Sequence, residues 1–201
     1  MLVQDEFVIL DYLDAFKVVQ ESVIKEDLAF MDNISKLLSQ LKNEEFVEKT
    51  LEGSWGIKQK GEVTVSEHRK LLLERCASKE KFLRLCTQFE ILNIEFKTLV
   101  TKWQIREFQG SSTPNDHKDS EYDFSIIEQL ANVHEKTKNM IRQISFIFPF
   151  YKRFLDRFQN SFRHIANGEF DFIDISRDSY HNIWFEIHES LLQLSGTKRI
   201  E

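Results

Sequence analysis

The sequence predicts an all-α protein, a bundle of four to six long and mostly antiparallel helices. The chain has only six Gly and two Pro in 201 residues, so few positions interrupt a helix. It also contains 18 Phe, within an ordinary balance of 41% hydrophobic and 30% charged residues. Many bulky apolar residues with few helix breakers favour long helices over many short strands.

A seven-residue repeat of aromatic side chains is the third observation behind this fold class. The repeat predicts one long helix from Ser66 to Phe108, because apolar residues at alternating spacings of three and four share one helix face. This aromatic seam is either the core of a bundle or the interface of a homodimer. It consists of Phe82, Phe89, Phe96 and Trp103, with Leu85, Leu92 and Leu99 three positions after the first three.

The N-terminal part, residues 5–51, is expected to be helical with one break. Residues 1–48 contain eleven acidic residues and four Lys, so this element has an acidic outer face. That face is either simply solvated or complementary to a basic surface, within the chain or across a dimer. Gly53, Gly56 and Gly61 indicate a turn after it.

Two segments around the long helix are expected to be non-helical. Residues 61–65, GEVTV, could form one short extended segment, after which Ser66 caps the helix. Residues 109–121, QGSSTPNDHKDSE, have few apolar side chains and predict a flexible loop in which His117 is exposed to solvent. With this loop, residues 1–201 fit a single domain.

The C-terminal part is expected to form further helices with clear ends. A helix resumes near Tyr122, and Pro149 should kink it or begin a new one. Asn167 and Gly168 suit a helix end, since both tolerate the left-handed conformation. An acidic connection, EFDFIDI, is then predicted to be extended, and a last helix is predicted from Ser176 to about Leu194.

Several function classes lack their sequence signals. No apolar run is long enough to cross a membrane, and the N-terminus does not resemble a secretion signal. Cys76 and Cys86 are too far apart along one helix to pair, which favours reduced thiols and a cytoplasmic location. His181 and His188 lack the paired Glu-x-x-His motifs of a two-metal bundle. We therefore expect no metal site and no cofactor.

The segment from Lys136 to Gly168 differs in charge from the rest of the chain. Up to His164 it holds seven Lys and Arg against one acid, Asp156, although the whole chain has a net charge of −6. A local basic excess in an acidic protein indicates an anionic partner.

Four polar side chains of this segment are expected to share one helix face. On a helical wheel they fall within an arc of about 60° beside the apolar stripe. Such an arc could hold a phosphate with its guanidinium groups and move a proton with its imidazole. The alternative is a solvated helix edge that borders the core. The four residues are Arg153, Arg157, Asn160 and His164.

The segment FRHIANGEF, followed by FDFIDIS and a final helix, resembles the C-terminal half of HEPN domains. Members of that family are all-α bundles in which an Arg, four to six further residues and a His form an RNA-cutting motif. Arg157 and His164 are separated by six residues here, and the resemblance covers roughly residues 122–195. Asn167 stands where the family's helix end has a His. If the motif is aligned on that position, the His of the motif is missing and the site would be inactive.

The resemblance implies a metal-independent endoribonuclease, acting at a dimer interface in toxin–antitoxin or antiviral defence systems. His164 would transfer protons at the ribose 2′-hydroxyl and the leaving oxygen, and Arg157 would stabilise charge on the phosphorane. The remaining basic and amide side chains would bind the RNA backbone. These are Lys152, Arg153, Asn160, Arg163 and Asn167.

Two other functions stay open at this point. One is a degenerate HEPN-like domain that binds RNA or a partner without cutting. The other is a non-catalytic helical bundle, an adaptor or immunity-type protein that binds a cognate protein through its acidic and basic faces. The expected partners are therefore RNA, another anionic molecule or a protein, but not a membrane, and the chain could form a homodimer.

Overall fold

The computed structural model describes residues 2–108 and 110–197. The chain is 71% helical, which confirms the mostly helical class. Within the described residues there are eight α-helices and five short strands, so the prediction of four to six helices was too low. The chain divides into two compact units, one of residues up to 79 with those from 186 onward, the other of residues 80–185. The single domain of residues 1–201 stays a prediction.

The first unit consists of short helices around a small sheet. Strand β3 lies between β1 and β2 and is antiparallel to both, with Val18 opposite Gly56 and Val47 opposite Ile57. Along the chain the elements are α1 (Gln4–Phe16), β1 (Val18–Gln20), α2 (Glu21–Asp27), α3 (Ile34–Asn43), β2 (Val47–Lys49), β3 (Ser54–Ile57) and α4 (Gln59–Glu74).

The predicted helix over residues 5–51 is interrupted more often than expected. Lys17, Asn33 and Glu45 have φ values of 64°, 60° and 62°. A positive φ interrupts a right-handed helix, and it is uncommon outside Gly and Asn. Two of the three breaks, at Lys17 and Glu45, therefore fall on residue types that do not predict a helix break from the sequence. β1 and β2 begin directly or shortly after such breaks.

Residues 61–65 are helical, which corrects the predicted extended segment. They belong to α4, which begins at Gln59, so Ser66 lies inside the helix and does not cap it. Gly61 serves close packing here, not a turn. A Cβ atom at this position would lie 2.4 Å from the carbonyl oxygen of Phe46 and 2.8 Å from Ile57 Cγ1. Only glycine allows the helix to approach the preceding turn this closely.

The second unit is built from longer helices and a hairpin. The predicted helix Ser66–Phe108 is two helices and a strand, since α4 ends at Glu74 and α5 begins at Lys79. Residues 180–185 of the last helix belong to this unit. Its elements are α5 (Lys79–Gln104), β4 (Ile105–Phe108), β5 (Ser111–Pro114), α6 (Ser120–Ile147), α7 (Arg153–Ala166) and the beginning of α8 (Tyr180–Ser195), whose residues from 186 onward belong to the first unit.

The aromatic seam of α5 is the core of the second unit. All seven of its side chains are buried, with at most 6% of their surface exposed. The ring centroids of Phe89 and Phe96 lie 5.0 Å and 4.3 Å, respectively, from the ring centroid of Trp184. Phe82 contacts Phe148 edge to face. The two alternatives for this seam are thereby resolved in favour of core packing.

The helix ends in this unit follow the predicted signals in part. Pro149 does start a new element, a 3₁₀ turn over Pro149–Lys152 that leads into α7. Gly168 has a φ of 87°, as expected for a helix end. The connection EFDFIDI is not extended, because Phe170–Phe172 form a second 3₁₀ turn. The last helix begins at Tyr180 and not at Ser176.

Residues 109–121 contain defined structure where a flexible loop was predicted. Ser111–Pro114 pair with Ile105–Phe108 as an antiparallel hairpin, and Gly110 occupies its turn with a φ of 80°. Residue 109 lies outside the described residues. Within the part of the chain that is described, no helix is long and apolar enough to cross a membrane.

Candidate functional site

The four polar side chains that the helical wheel placed on one face of α7 have different surroundings in the structure. Arg153 is the first residue of α7 and is only 9% exposed. Its guanidinium carbon lies 4.7 Å from the ring centre of Phe154 and 5.8 Å from that of Phe150. Such contacts hold a guanidinium against aromatic faces. Arg153 is therefore part of the packed side of the helix.

Arg157 is paired with a carboxylate from a later part of the chain. Its Nη2 lies 3.3 Å from Oδ1 of Asp178, and its side chain is 18% exposed. The other oxygen of Asp178 lies 2.9 Å from Nη2 of Arg177. Asp178 thus joins two guanidinium groups just before α8 begins. An incoming phosphate at Arg157 would have to compete with this carboxylate.

His164 is also engaged by the chain's own residues. Its Nδ1 lies 3.0 Å from Oε1 of Glu169, and the imidazole stacks on the ring of Phe172 at 4.0 Å with an angle of 10°. The pair is half-exposed, with 42% of the His164 side chain accessible. A contact at this distance fixes the ring and directs Nδ1 towards Glu169. Arg157 and His164, the predicted catalytic pair, are thus each in contact with a different carboxylate.

The other predicted RNA-binding residues are open to solvent. Lys152, Asn160, Arg163 and Asn167 are all exposed. Among the described residues neither Lys152 nor Arg163 has a carboxylate partner within ion-pair distance. Asn167 is the residue at which α7 ends, and its backbone N–H donates to the carbonyls of Arg163 and His164. These side chains are available for an anionic partner.

Acidic side chains offset much of the remaining charge of the basic segment. Lys136 Nζ lies 3.3 Å from Glu95 Oε2 on α5. Lys138 is paired with Glu135, and it also donates to Oε1 of Gln159 at 3.0 Å. The local excess of positive charge that the sequence shows is therefore smaller on the surface of the folded protein.

His134 is a buried histidine that the sequence reasoning did not single out. It is fully buried on α6, and its ring stacks on Phe158 and Phe162 with centroid distances of 4.7 Å and 4.3 Å. Its Nε2 lies 3.4 Å from Gln159 Oε1. Burial lowers the pKa of His134 to about 4, so the ring is neutral at pH 7. His134 lies four residues after Leu130 and seven before Ile141, so it shares their helix face. This spacing was the signal in the sequence that could have predicted its burial.

A polar cluster anchors the hairpin to the helices on either side of it. Asn115 is buried, and its Nδ2 donates to the Trp103 carbonyl at 3.1 Å and to Asp123 Oδ1 at 2.8 Å. His117 Nδ1 lies 3.1 Å from Asp123 Oδ2, and its ring lies 4.4 Å from that of Trp103. The side chain of His117 is 40% exposed, so it is exposed as predicted and yet held in place.

Helix α5 carries a second heptad seam, on the side opposite the aromatic one. Its members alternate at spacings of four and three, and all are β-branched and exposed to solvent. Ile91 is 57% exposed and Ile94 is 67% exposed. At about 100° per residue the centre of this seam lies roughly opposite the centre of the aromatic seam. We call this set the outer seam; it consists of Thr87, Ile91, Ile94, Thr98, Thr101 and, at the start of β4, Ile105.

A groove of about 730 Å³ runs beside the outer seam. One wall is α5, the second is the N-terminal part of α6, and the third is the hairpin with Glu107 and Ser112. A shallower depression of about 360 Å³ continues along α5 and α6 as far as Glu95 and Asn132. The wall residues on α5 include Lys97 and Lys102.

No protein-family model, curated protein or solved structure matches this chain. Within residues 2–108 and 110–197, no cluster of three or more His, Cys, Asp or Glu is arranged to hold a metal ion.

Proposed function

We propose that this protein is a non-catalytic interaction module that binds another protein along the outer seam of α5. The observation that carries the proposal is the exposed heptad itself. Its isoleucines remain in water at a cost unless a second surface covers them. Side chains spaced three and four residues apart fit the side chains of a facing helix. The aromatic seam already fills the core, so the outer seam is not needed for folding.

The carboxylate contacts of Arg157 and His164 on α7 support a binding function over a cutting one. In a ribonuclease of the resembled family, the arginine and the histidine must face the same phosphate. Arg157 contacts Asp178, whereas His164 contacts Glu169 and Phe172. A phosphate at either side chain would have to displace a carboxylate first.

A photo-crosslinking experiment tests the proposed interface. A photoreactive amino acid at Ile94 is expected to give one discrete protein adduct in extracts of the cells that make this protein. The same amino acid at Phe146, which is 88% exposed on α6, is the matched control and should give none. Ile94 is 67% exposed, so the replacement should leave folding intact. No adduct at Ile94, or the same adducts at both positions, would contradict the interface.

A second candidate is RNA binding without cleavage, which rests on the resemblance to HEPN domains. The specific observation in its favour is that Lys152, Asn160 and Arg163 are exposed along α7. Contacts of this kind bind backbone phosphates without sequence preference and weaken as salt is added.

We expect generic RNA to stay intact when it is incubated with the protein in EDTA, because Arg157 and His164 face separate carboxylates. The measurement is the appearance of fragments ending in a cyclic phosphate, with His164→Ala as the control. Cleavage by the wild type that disappears in this variant would establish the enzyme and refute the non-catalytic proposal. Retention of RNA that falls in Lys152→Glu/Arg163→Glu would support the second candidate.

A further inference from the structure

We infer that the groove beside the outer seam takes an amphipathic helix whose apolar face is bordered by acidic residues. This inference rests on the proposed function and adds the class of partner. It follows from three properties of the groove: the spacing of its β-branched side chains, the placement of its lysines, and the anchoring of its third wall.

The spacing selects a helix as the occupant. Between Ile91 and Thr101 the outer seam makes steps of three, four and three residues along α5, and Ile105 follows at the start of β4. These steps place side chains in two rows, which matches the knobs of a helix that lies nearly parallel to α5. An extended strand would instead present side chains to one face at every second residue and would need an open sheet edge.

The charges select an acidic partner. At about 100° per residue, Lys97 and Lys102 fall on opposite sides of the outer seam and so border it. Both are exposed, and neither has an ion-pair partner among the described residues. Of the two acids that line the groove and the depression beside it, Glu95 is already paired with Lys136, with 3.3 Å between Oε2 and Nζ. Glu107 lies at the hairpin end of the groove. Two unpaired ammonium groups therefore face the flanks of a docked helix.

The hairpin gives the groove a fixed end. Ile105 and Glu107 on β4 and Ser112 on β5 line it. The hairpin is anchored through Asn115 to the Trp103 carbonyl and the buried Asp123. On its other side Arg106 is paired with Asp119 and stacks on Tyr122 at 4.5 Å. A wall held from two sides needs little rearrangement when a partner docks.

Binding of synthetic helical peptides tests this inference. The probe is a labelled peptide about three heptads long, with Leu and Ile at its a and d positions and Glu at its e and g positions. Its counterpart carries Lys in place of every Glu. We expect the acidic peptide to bind about tenfold more tightly than the basic one, as two exposed charge pairs would give. Fluorescence anisotropy provides the dissociation constants.

Charge-reversed variants show whether the two lysines are responsible. Lys97→Glu/Lys102→Glu should weaken binding of the acidic peptide about tenfold and reverse the preference. Lys70→Glu/Lys81→Glu changes the net charge equally at exposed positions outside the groove and should leave binding unchanged. Ile94→Asp should abolish binding of both peptides, since it places a carboxylate in the apolar row.

Three results would overturn the inference. They are equal or tighter binding of the basic peptide, no effect of Lys97→Glu/Lys102→Glu, and a single-stranded RNA that binds through these lysines while the acidic peptide does not. The proposed function can fail separately. A crosslinked partner at Ile94 without acidic-peptide binding would refute only the partner class, whereas the absence of both would refute the interface.

Discussion

Replacing Arg69 with Met is expected to lower the free energy of unfolding by about 3–5 kcal/mol. Arg69 is buried on α4, with its Nε 2.8 Å from Oδ1 of Asp11 and its Nη1 2.6 Å from Oδ2 of Asp14. The side chains of Arg69 and Asp11 are 5% and 4% exposed. Met retains much of the apolar volume but leaves a buried carboxylate without its cation. Urea unfolding at pH 7 measures the change.

Two further variants separate the buried charge from other effects of the substitution. Arg84→Met removes a guanidinium that is 70% exposed and lies 4.0 Å from its partner Glu80, so it should change stability by less than about 0.5 kcal/mol. Adding Asp11→Asn to Arg69→Met removes the stranded charge and should restore part of the loss. A deficit in Arg69→Met no larger than that in Arg84→Met would show that this ion pair is not structural.

Lowering the pH from 7 to 4 is expected to destabilise the wild type by about 3 kcal/mol through His134 alone. The imidazole titrates near 6.5 in an unfolded chain, whereas burial lowers the pKa of His134 to about 4 in the folded protein. Between these values the unfolded state binds the proton and the folded state does not. The contribution to stability is therefore complete above pH 6.5 and falls as the pH falls towards 4.

His134→Phe and His134→Gln test this pH dependence from two directions. Phe can keep the stacking on Phe158 and Phe162, and Gln keeps a polar side chain, but neither titrates. In both variants the stability lost between pH 7 and pH 4 should be about 3 kcal/mol smaller than in the wild type. Urea unfolding at several pH values gives these differences. Equal losses in all three proteins would mean that the ring is accessible to protons in the folded state.

The sequence predicted the parts of the fold that follow from local periodicity and from special backbone residues. The aromatic seam of α5 identified a buried helix face, because large apolar side chains at this spacing all lie on one side of a helix. Pro149 and Gly168 marked helix boundaries through their own backbone restrictions. The short strands could not be predicted in this way. Three or four residues hold too little pattern, and their pairing depends on turns at Lys17 and Glu45.

The arrangement of α7 could be predicted only in part, since its decisive contacts come from elsewhere in the chain. The helical wheel assumed one continuous helix from Tyr151, whereas a 3₁₀ turn precedes α7 and Arg153 packs on Phe150. Asp178 is 21 residues from Arg157, so no spacing rule would have paired them. The outer seam was visible in the sequence. Half of its members are Thr, however, so its spacing did not mark it as an apolar face.

The two opposite seams of α5 restrict how the length of this helix can change. A single inserted or deleted residue would turn every later side chain by about 100° and disturb both seams together. Leu92, Phe96 and Leu99 would rotate out of the core while polar neighbours rotated in. We therefore expect α5 to accept many replacements along its exposed face but almost no variation in length. The number of residues between Phe82 and Ile105 is the quantity that relatives of this protein should preserve.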